Sequence, residues 1–322
     1  MNNTELQESG FPPIWDNTMR QLAVACPRKL YYFLRGFDYD PSTKPAYFVW
    51  GSAWEEIMAT WYSASQDILQ DPVKRATHAY LSLQMGYQVW DEMNPIEKTL
   101  NKRSSFEPIW NAYLDQYPYE TWHMIERGAE AGWTFPLVGT PYSLGGAFDG
   151  VIEVHEPLHG LMALENKTTG AFITKNYIDS WHFAPQVTGY IWYGRKILGD
   201  QFIGALMNLV TKNLPGPRSQ WTTPRFARVV VTKTDHQLAE FEEQAAWHIN
   251  LIKREHWDRW YWPKTLNKDD CCGGIGKAPC LFRPLCFSDV NPADVNHTDC
   301  PGVSLREGPW QPWLRWGSQD EE

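Results

Sequence analysis

The chain has no run of about 18 apolar residues, the length a helix needs to cross a bilayer, so its 322 residues leave no room for a membrane-spanning helix. The opening MNNTELQESG lacks the charged n-region and apolar h-region of a secretion signal, and residence in the cytosol is the expectation. Positive charge is in deficit: 29 Lys and Arg against 38 Asp and Glu give a net charge of −9. That argues against coating nucleic acid by charge alone, but not against a local basic groove backed by metal ions. Cysteine is sparse, 6 residues, and in a reducing compartment clustered cysteines bind metal more often than they form disulfides. Tryptophan is plentiful, 18 residues; core packing is its default use, and base stacking is open to exposed rings. The length suffices for a large core, in one elaborated domain or two.

The most informative stretch runs from Ser143 to Thr169. An apolar run ending near Val154, a turn from His155 to Gly160 and a second apolar run, Leu161 to Leu164, predict a β-hairpin. Residues two apart in a strand share a face, so Glu165 and Lys167 project together while Asn166 faces away. Asp149, on the preceding strand, lies within cross-strand reach. Hard cations such as Mg²⁺ or Mn²⁺ take carboxylate oxygens, so Asp149 and Glu165 make half of a coordination shell. A nearby Lys can orient a water that the cation has acidified, which is the chemistry of phosphodiester hydrolysis. An isolated Glu-x-Lys also occurs as an ordinary surface ion pair.

The hairpin does not stand alone. Gly146-Ala147-Phe148-Asp149 and Glu165-Asn166-Lys167, followed by Gln186 and Tyr190 at i, i+4, resemble the G-x-x-D, E-x-K and Q-x-x-x-Y signatures of PD-(D/E)XK nucleases, in their RecB-like and CRISPR-associated exonuclease branch. The i, i+4 spacing puts Gln186 and Tyr190 on one helical face, where an amide and a phenol can bond nucleic-acid backbone or Lys167. Tyr47 to Trp61 resembles the branch's first motif, a Gly followed four residues later by a His ligand. Counting from Gly51, that place holds Glu55, a hard oxygen donor and the candidate ligand here, with Glu56 the alternative if the register slips. Glu126 and Glu130 match loosely a Glu of the family's second strand.

The same resemblance gives the cysteines a meaning. Cys26-Pro27-Arg28-Lys29 with Tyr31-Tyr32 is similar to the branch's opening, where the Cys is the first ligand of an iron-sulfur cluster; read alone, Cys26 is a small buried hydrophobe. Cys280 and Cys286 have the spacing that closes the cluster motif, and Cys271 or Cys272 supplies the remaining ligand. A [4Fe-4S] cluster is implied, with zinc the alternative, as a staple between distant parts of the chain. Cys300 stands apart.

The implied fold is α/β, a restriction-endonuclease-like mixed central sheet flanked by helices, with a helical insertion and a C-terminal metal-cysteine staple. One elaborated domain, 1–322, divides into a helical region with the first Cys and first motif (17–60), a helical insertion (63–125), the catalytic core (126–235), a long helix with the cysteine cluster (236–300) and a Trp/Pro-rich acidic tail (301–322). In the insertion, with breaks at Pro72, Pro95 and Pro108, Trp90, Trp110, Tyr113 and Trp122 either line a strand channel or fill a core, the core being the default. FIGALMNLVTK and RFARVVVTKT read as strands. The loop between them, with Lys212, Arg218, Arg225, Arg228 and Trp221, has the composition of a strand-binding surface, or of a solvated basic loop. Asp235 to Trp262 reads as a long helix capped by Thr234 or Asp235.

The activity implied is metal-dependent hydrolysis of DNA, most naturally by an exonuclease in recombination, repair, or phage or CRISPR DNA processing, acting in a bacterial cytoplasm or, if phage-encoded, that of the host. Asp149, Glu165 and Glu55 would hold Mg²⁺ or Mn²⁺, Lys167 would position the attacking water, and Gln186 and Tyr190 would orient the substrate or Lys167. DNA, single-stranded or as duplex ends, is the implied partner, with no membrane and a possible helicase or recombination partner. The alternatives are a non-catalytic DNA-binding module and an accessory subunit of such a complex.

Overall fold

A computed structural model describes residues 3–95, 97, 101–127, 132–155, 158–212, 225–265, 272, 279–288 and 290–314. In chain order the helices are α1 (Asn3–Glu8), α2 (Asn17–Ala25), α3 (Pro27–Leu34), α4 (Ala46–Tyr62), α5 (Gln66–Gln70), α6 (Pro72–Met93), α7 (Phe106–Gln116), α8 (Lys175–Ser180), α9 (Pro185–Leu198), α10 (Asp235–Ile252) and α11 (Arg283–Phe287). The strands are β1 (Ile14–Trp15), β2 (Phe37–Tyr39), β3 (Trp122–Arg127), β4 (Gly132–Pro136), β5 (Ser143–Ala147), β6 (Gly150–Val154), β7 (Gly160–Thr169), β8 (Phe202–Thr211), β9 (Phe226–Val231) and β10 (Val303–Leu305). The chain is mixed α/β and divides into two compact units, one made of residues 1–44, 133–146 and 239–313, the other of 45–132, 147–238 and 314–322.

The second unit is built on a five-stranded sheet, order β3-β6-β7-β8-β9, in which only the β7–β8 pair is parallel. A parallel pair needs a crossover, and α8 and α9 supply it. Pro185 opens α9 at its first position, where a missing N–H costs nothing; Gly199, at φ 64°, ends it while its N–H bonds Arg195 O. Strand β8, beside the central β7, is apolar on both faces from Phe202 to Val210 apart from Asn208, as a doubly covered strand requires.

Alternation then sorts the side chains. Met162 and Leu164 of β7, with Leu206 and Val210 of β8, share a buried core with α4, α6 and α7. Ala163, Glu165 and Lys167 must therefore face the other way, toward α9. Helices α6 and α7, expected as an insertion over the active site, thus join α4 on the sheet face opposite Glu165: Trp50 and Trp54 of α4 and Trp110 of α7 are fully buried there. Trp90 and Trp122 are buried and Tyr113 fully so, which makes them core. Trp122 and His123 belong to β3, and Pro108 lies inside α7, where the first turn has no N–H bond to lose.

The hairpin forms as expected, β6 antiparallel to β7, with Val154 opposite Gly160. The strand before it does not run through: β5 pairs with β1 and β4 in a separate three-stranded sheet, and the chain breaks at Phe148 and Asp149 before β6 begins. Asp149 therefore sits at the mouth of β6 rather than in a strand.

In the first unit, β2 and β10 form an antiparallel pair. Arg35, at the end of α3, is buried and donates to Pro292 O at 3.0 Å and Val295 O at 2.8 Å. Tyr32 stacks on Phe37, centroids 5.6 Å apart, and lies 5.2 Å from Phe282. At the end of the second unit, Thr234 caps α10 reciprocally with Gln237, a T-x-x-Q capping box. This helix ends at Ile252 and gives way to a π-turn, Lys253–Trp257, ten residues short of the expected Trp262.

Candidate functional site

Glu165 and Lys167 point to one side of β7, and the ammonium of Lys167 rests on Glu165 Oε1. Gln186, in the first turn of α9, donates its amide to the same oxygen at 2.9 Å and to the Tyr190 hydroxyl at 2.6 Å. Gln186 and Tyr190 thus share a helical face directed at the strand, as their i, i+4 spacing predicts. Asp149 accepts the backbone N–H of Asn166 at 2.6 Å, so the main chain between Glu165 and Lys167 holds the second carboxylate. Asp149, Glu165, Lys167, Gln186 and Tyr190 are therefore gathered at one place by β6, β7 and α9.

The electrostatics are those of clustered carboxylates answered by the Lys167 ammonium. Burial, then the neighbouring Glu165 and Glu55 carboxylates, push the Asp149 carboxyl well above the usual Asp range, against the Lys167 charge and the Asn166 N–H. Burial works against the Lys167 ammonium, but Glu165 and Asp149 outweigh it and hold its pKa above the ordinary Lys value. About a third of that side chain, 32%, still reaches solvent, whereas Glu165 is 2% exposed. Burial, then Glu165 and Asp149, raise the Tyr190 phenol well above its usual range. Glu55 stands exposed on α4, near enough for its charge to act on both Asp149 and Lys167.

Two features fit a hard divalent cation. Glu165 Oε2 is buried and takes no hydrogen bond, and the repulsion raising Asp149 is the kind a cation between two carboxylates removes. Among the described residues no three His, Cys, Asp or Glu stand in ready coordination geometry; Lys167 occupies Oε1 of Glu165.

Behind the strand lies a network that sequence reading missed. Asn166 Oδ1 accepts from Asn208 Nδ2 at 2.8 Å, and the same nitrogen donates to the Tyr113 hydroxyl at 2.9 Å. Tyr113 bonds Tyr62 at 2.9 Å and accepts from Arg228 at 3.0 Å. Arg228 clasps Glu120 with two bonds, 2.6 and 2.8 Å. The signal was available in part: Asn208 interrupts the apolar run from Phe202 to Val210, and the structure pairs it in register with Asn166. Arg228 is thereby drawn off the expected strand-binding surface, and Lys212 is buried beside Tyr47 and Trp50. Arg218 and Trp221 lie outside the described residues, as do Cys271, Glu130 and residues 315–322.

The cysteines belong to the first unit. Cys26 is buried at the N-cap of α3 and Cys286 lies in α11. Burial, then the nearby Cys26 and Cys280 thiols, push the Cys286 thiol up to about 11. Three of the expected ligands are thus neighbours, and soft thiols suit iron-sulfur or zinc. Cys272 is half-buried. Cys300 does not stand apart: burial, then Cys280, raise its thiol, which donates to Leu281 O at 3.4 Å.

No family model matches the chain, and no curated protein does. A solved structure described as "Crystal structure of SSO0001" is similar over 80% of this chain and 89% of its own, at 12% identity and a TM-score of 0.28, a score on which no argument rests.

Proposed function

We propose that the chain is a metal-dependent nuclease of the PD-(D/E)XK kind, with a restriction-endonuclease-like catalytic unit that hydrolyses DNA phosphodiesters. The observation that carries the reading is the convergence on Glu165: a buried carboxylate gripped on one oxygen by Lys167 and Gln186, with its other oxygen unbonded and Asp149 beside it.

Asp149, Glu165 and Glu55 would hold Mg²⁺ or Mn²⁺. The cation supplies Lewis acidity at the phosphate and offsets the negative charge the site would otherwise present to it. Lys167, with its pKa raised, stays protonated at neutral pH; it orients the attacking water and stabilises charge on the phosphate rather than accepting a proton. Gln186 fixes the rotamer of Glu165, and Tyr190, kept neutral, receives the Gln186 amide and keeps its own proton to donate. The cysteines Cys26, Cys280 and Cys286, with Cys271 or Cys272, would hold an iron-sulfur cluster or zinc as a structural tie within their own unit.

The Lys167–Glu165 pair also favours a second reading, a DNA-binding module in which the ion pair is static. Cleavage of end-labelled single- and double-stranded DNA by protein purified without air, in Mg²⁺ or Mn²⁺, separates them. Metal-dependent cleavage that falls at least about a hundredfold in Lys167→Ala, with unchanged circular dichroism, is expected of the enzyme. Tight binding with no cleavage in any divalent metal by the folded wild type would refute it.

A further inference from the structure

Two exposed rings stand close in sequence to the candidate-site residues. Phe183 is 83% exposed and Phe172 is 55% exposed. Single exposed hydrophobic residues are ordinary; the placement of these two is not. Phe172 comes five residues after Lys167 and Phe183 three residues before Gln186. Three residues span at most about 11 Å and five about 18 Å, so the chain keeps Phe183 within about 11 Å of Gln186 and Phe172 within about 18 Å of Lys167, the two residues that grip Glu165.

Both are also held by ordered backbone. Ala171 N–H donates to Thr169 Oγ1 at 3.0 Å, Thr174 N–H to Phe172 O at 3.0 Å, and the next residue, Ile173, is 1% exposed. On the other side, Ala184 N–H donates to Trp181 O at 3.2 Å, and Lys233 holds His182 O at 2.5 Å. Between them, half-buried Tyr177 packs edge-on against Trp181 at 5.9 Å. The phenol of Tyr177 feels the Lys167 charge and bonds Thr169, which ties this segment to the end of β7.

We infer that Phe172 and Phe183 form a stacking platform for the unpaired bases of single-stranded nucleic acid whose backbone enters the Glu165 site. The nuclease reading supplies the identity of the occupant. The composition favours bases over another protein's acidic or basic face, because Lys175 is answered by Asp179 at 2.5 Å and the segment offers rings rather than net charge. Stacking is sequence-tolerant and independent of charge, so it can supply affinity that an acidic chain, at −9, does not obtain from its field. Duplex bases are already stacked and cannot use the platform.

Fluorescence anisotropy with a labelled 15-nucleotide single strand and the matching duplex, Ca²⁺ replacing Mg²⁺, tests this on the full chain. Phe183→Ala and Phe172→Ala, whose rings are exposed and whose folding is checked by circular dichroism, are each expected to weaken single-strand binding about tenfold. Duplex binding should change less than twofold, and the lost affinity should be nearly the same at low and high salt. Unchanged single-strand affinity would overturn the inference and leave the rings to a protein contact; equal losses for single strand and duplex would overturn it as well. If the platform variants lose single-strand binding but the wild type never cleaves, the platform stands and the nuclease reading fails. Metal-dependent cleavage by the wild type together with normal single-strand binding by the variants would uphold the nuclease and overturn the platform.

Discussion

Replacing Asp149 with Asn is expected to stabilise the metal-free protein while abolishing cleavage. Asp149 is half-buried beside Glu165 and Glu55, and the compensating cation, Lys167, is committed to Glu165. Asn keeps an oxygen for the Asn166 N–H, which donates at 2.6 Å, and removes the repulsion. Uncompensated buried charges cost about 3–5 kcal/mol; residual water contact and the nearby ammonium reduce the expected gain to about 1–2 kcal/mol at pH 8. The pH dependence follows from the direction of the shift. A carboxyl whose folded pKa is raised is proton-linked: nothing is lost below the unfolded value, and stability falls as pH rises toward the folded one. The advantage of Asp149→Asn therefore grows with pH by at most about 1.4 kcal/mol per unit and levels off above the folded pKa of Asp149. Urea unfolding in EDTA between pH 6 and 9, followed by Trp fluorescence, measures it. Saturating Mg²⁺ should reverse the order, adding about 2.7 kcal/mol to the wild type at one hundred times its Kd and little to the variant. A variant no more stable than wild type at pH 8, or an advantage that shrinks as pH rises, would refute the account.

Two further substitutions probe what surrounds the site. Asn208→Leu strips the donor from half-buried Asn166 Oδ1 and one donor from the buried Tyr113 hydroxyl, which keeps Arg228; a loss of about 1–3 kcal/mol in urea unfolding is expected, with cleavage rate falling while DNA affinity holds. Gly194→Ala places a Cβ 2.3 Å from the Phe202 ring, which is fully buried; overpacking of about 1–3 kcal/mol outweighs the helix-propensity gain of about 1 kcal/mol, and a lowered urea midpoint checks it.

The residues of the site were legible because strand and helix periodicities are local. Two-residue alternation put Glu165 and Lys167 together, and the i, i+4 rule paired Gln186 with Tyr190, before any tertiary contact was known. The apolar runs of β7 and β8 announced buried strands for the same reason, and the start of α10 was legible in the cap expected at Thr234 or Asp235. These are properties of a chain and its nearest neighbours, and they survive in any fold that keeps the elements.

What the chain could not state alone depends on which elements meet. The break at Asp149 arises because β5 pairs with its neighbour β4 and with β1, more than a hundred residues earlier in the chain. The expected insertion became one wall of the core because α6 and α7 bury their aromatics with α4 and the sheet. Arg228 turned inward because Glu120, over a hundred residues away, receives both its bonds, and Asn208 acquired its role only through Asn166 and Tyr113 on other elements. Periodicity determines which face a side chain takes; partners supplied from far along the chain decide what that face meets.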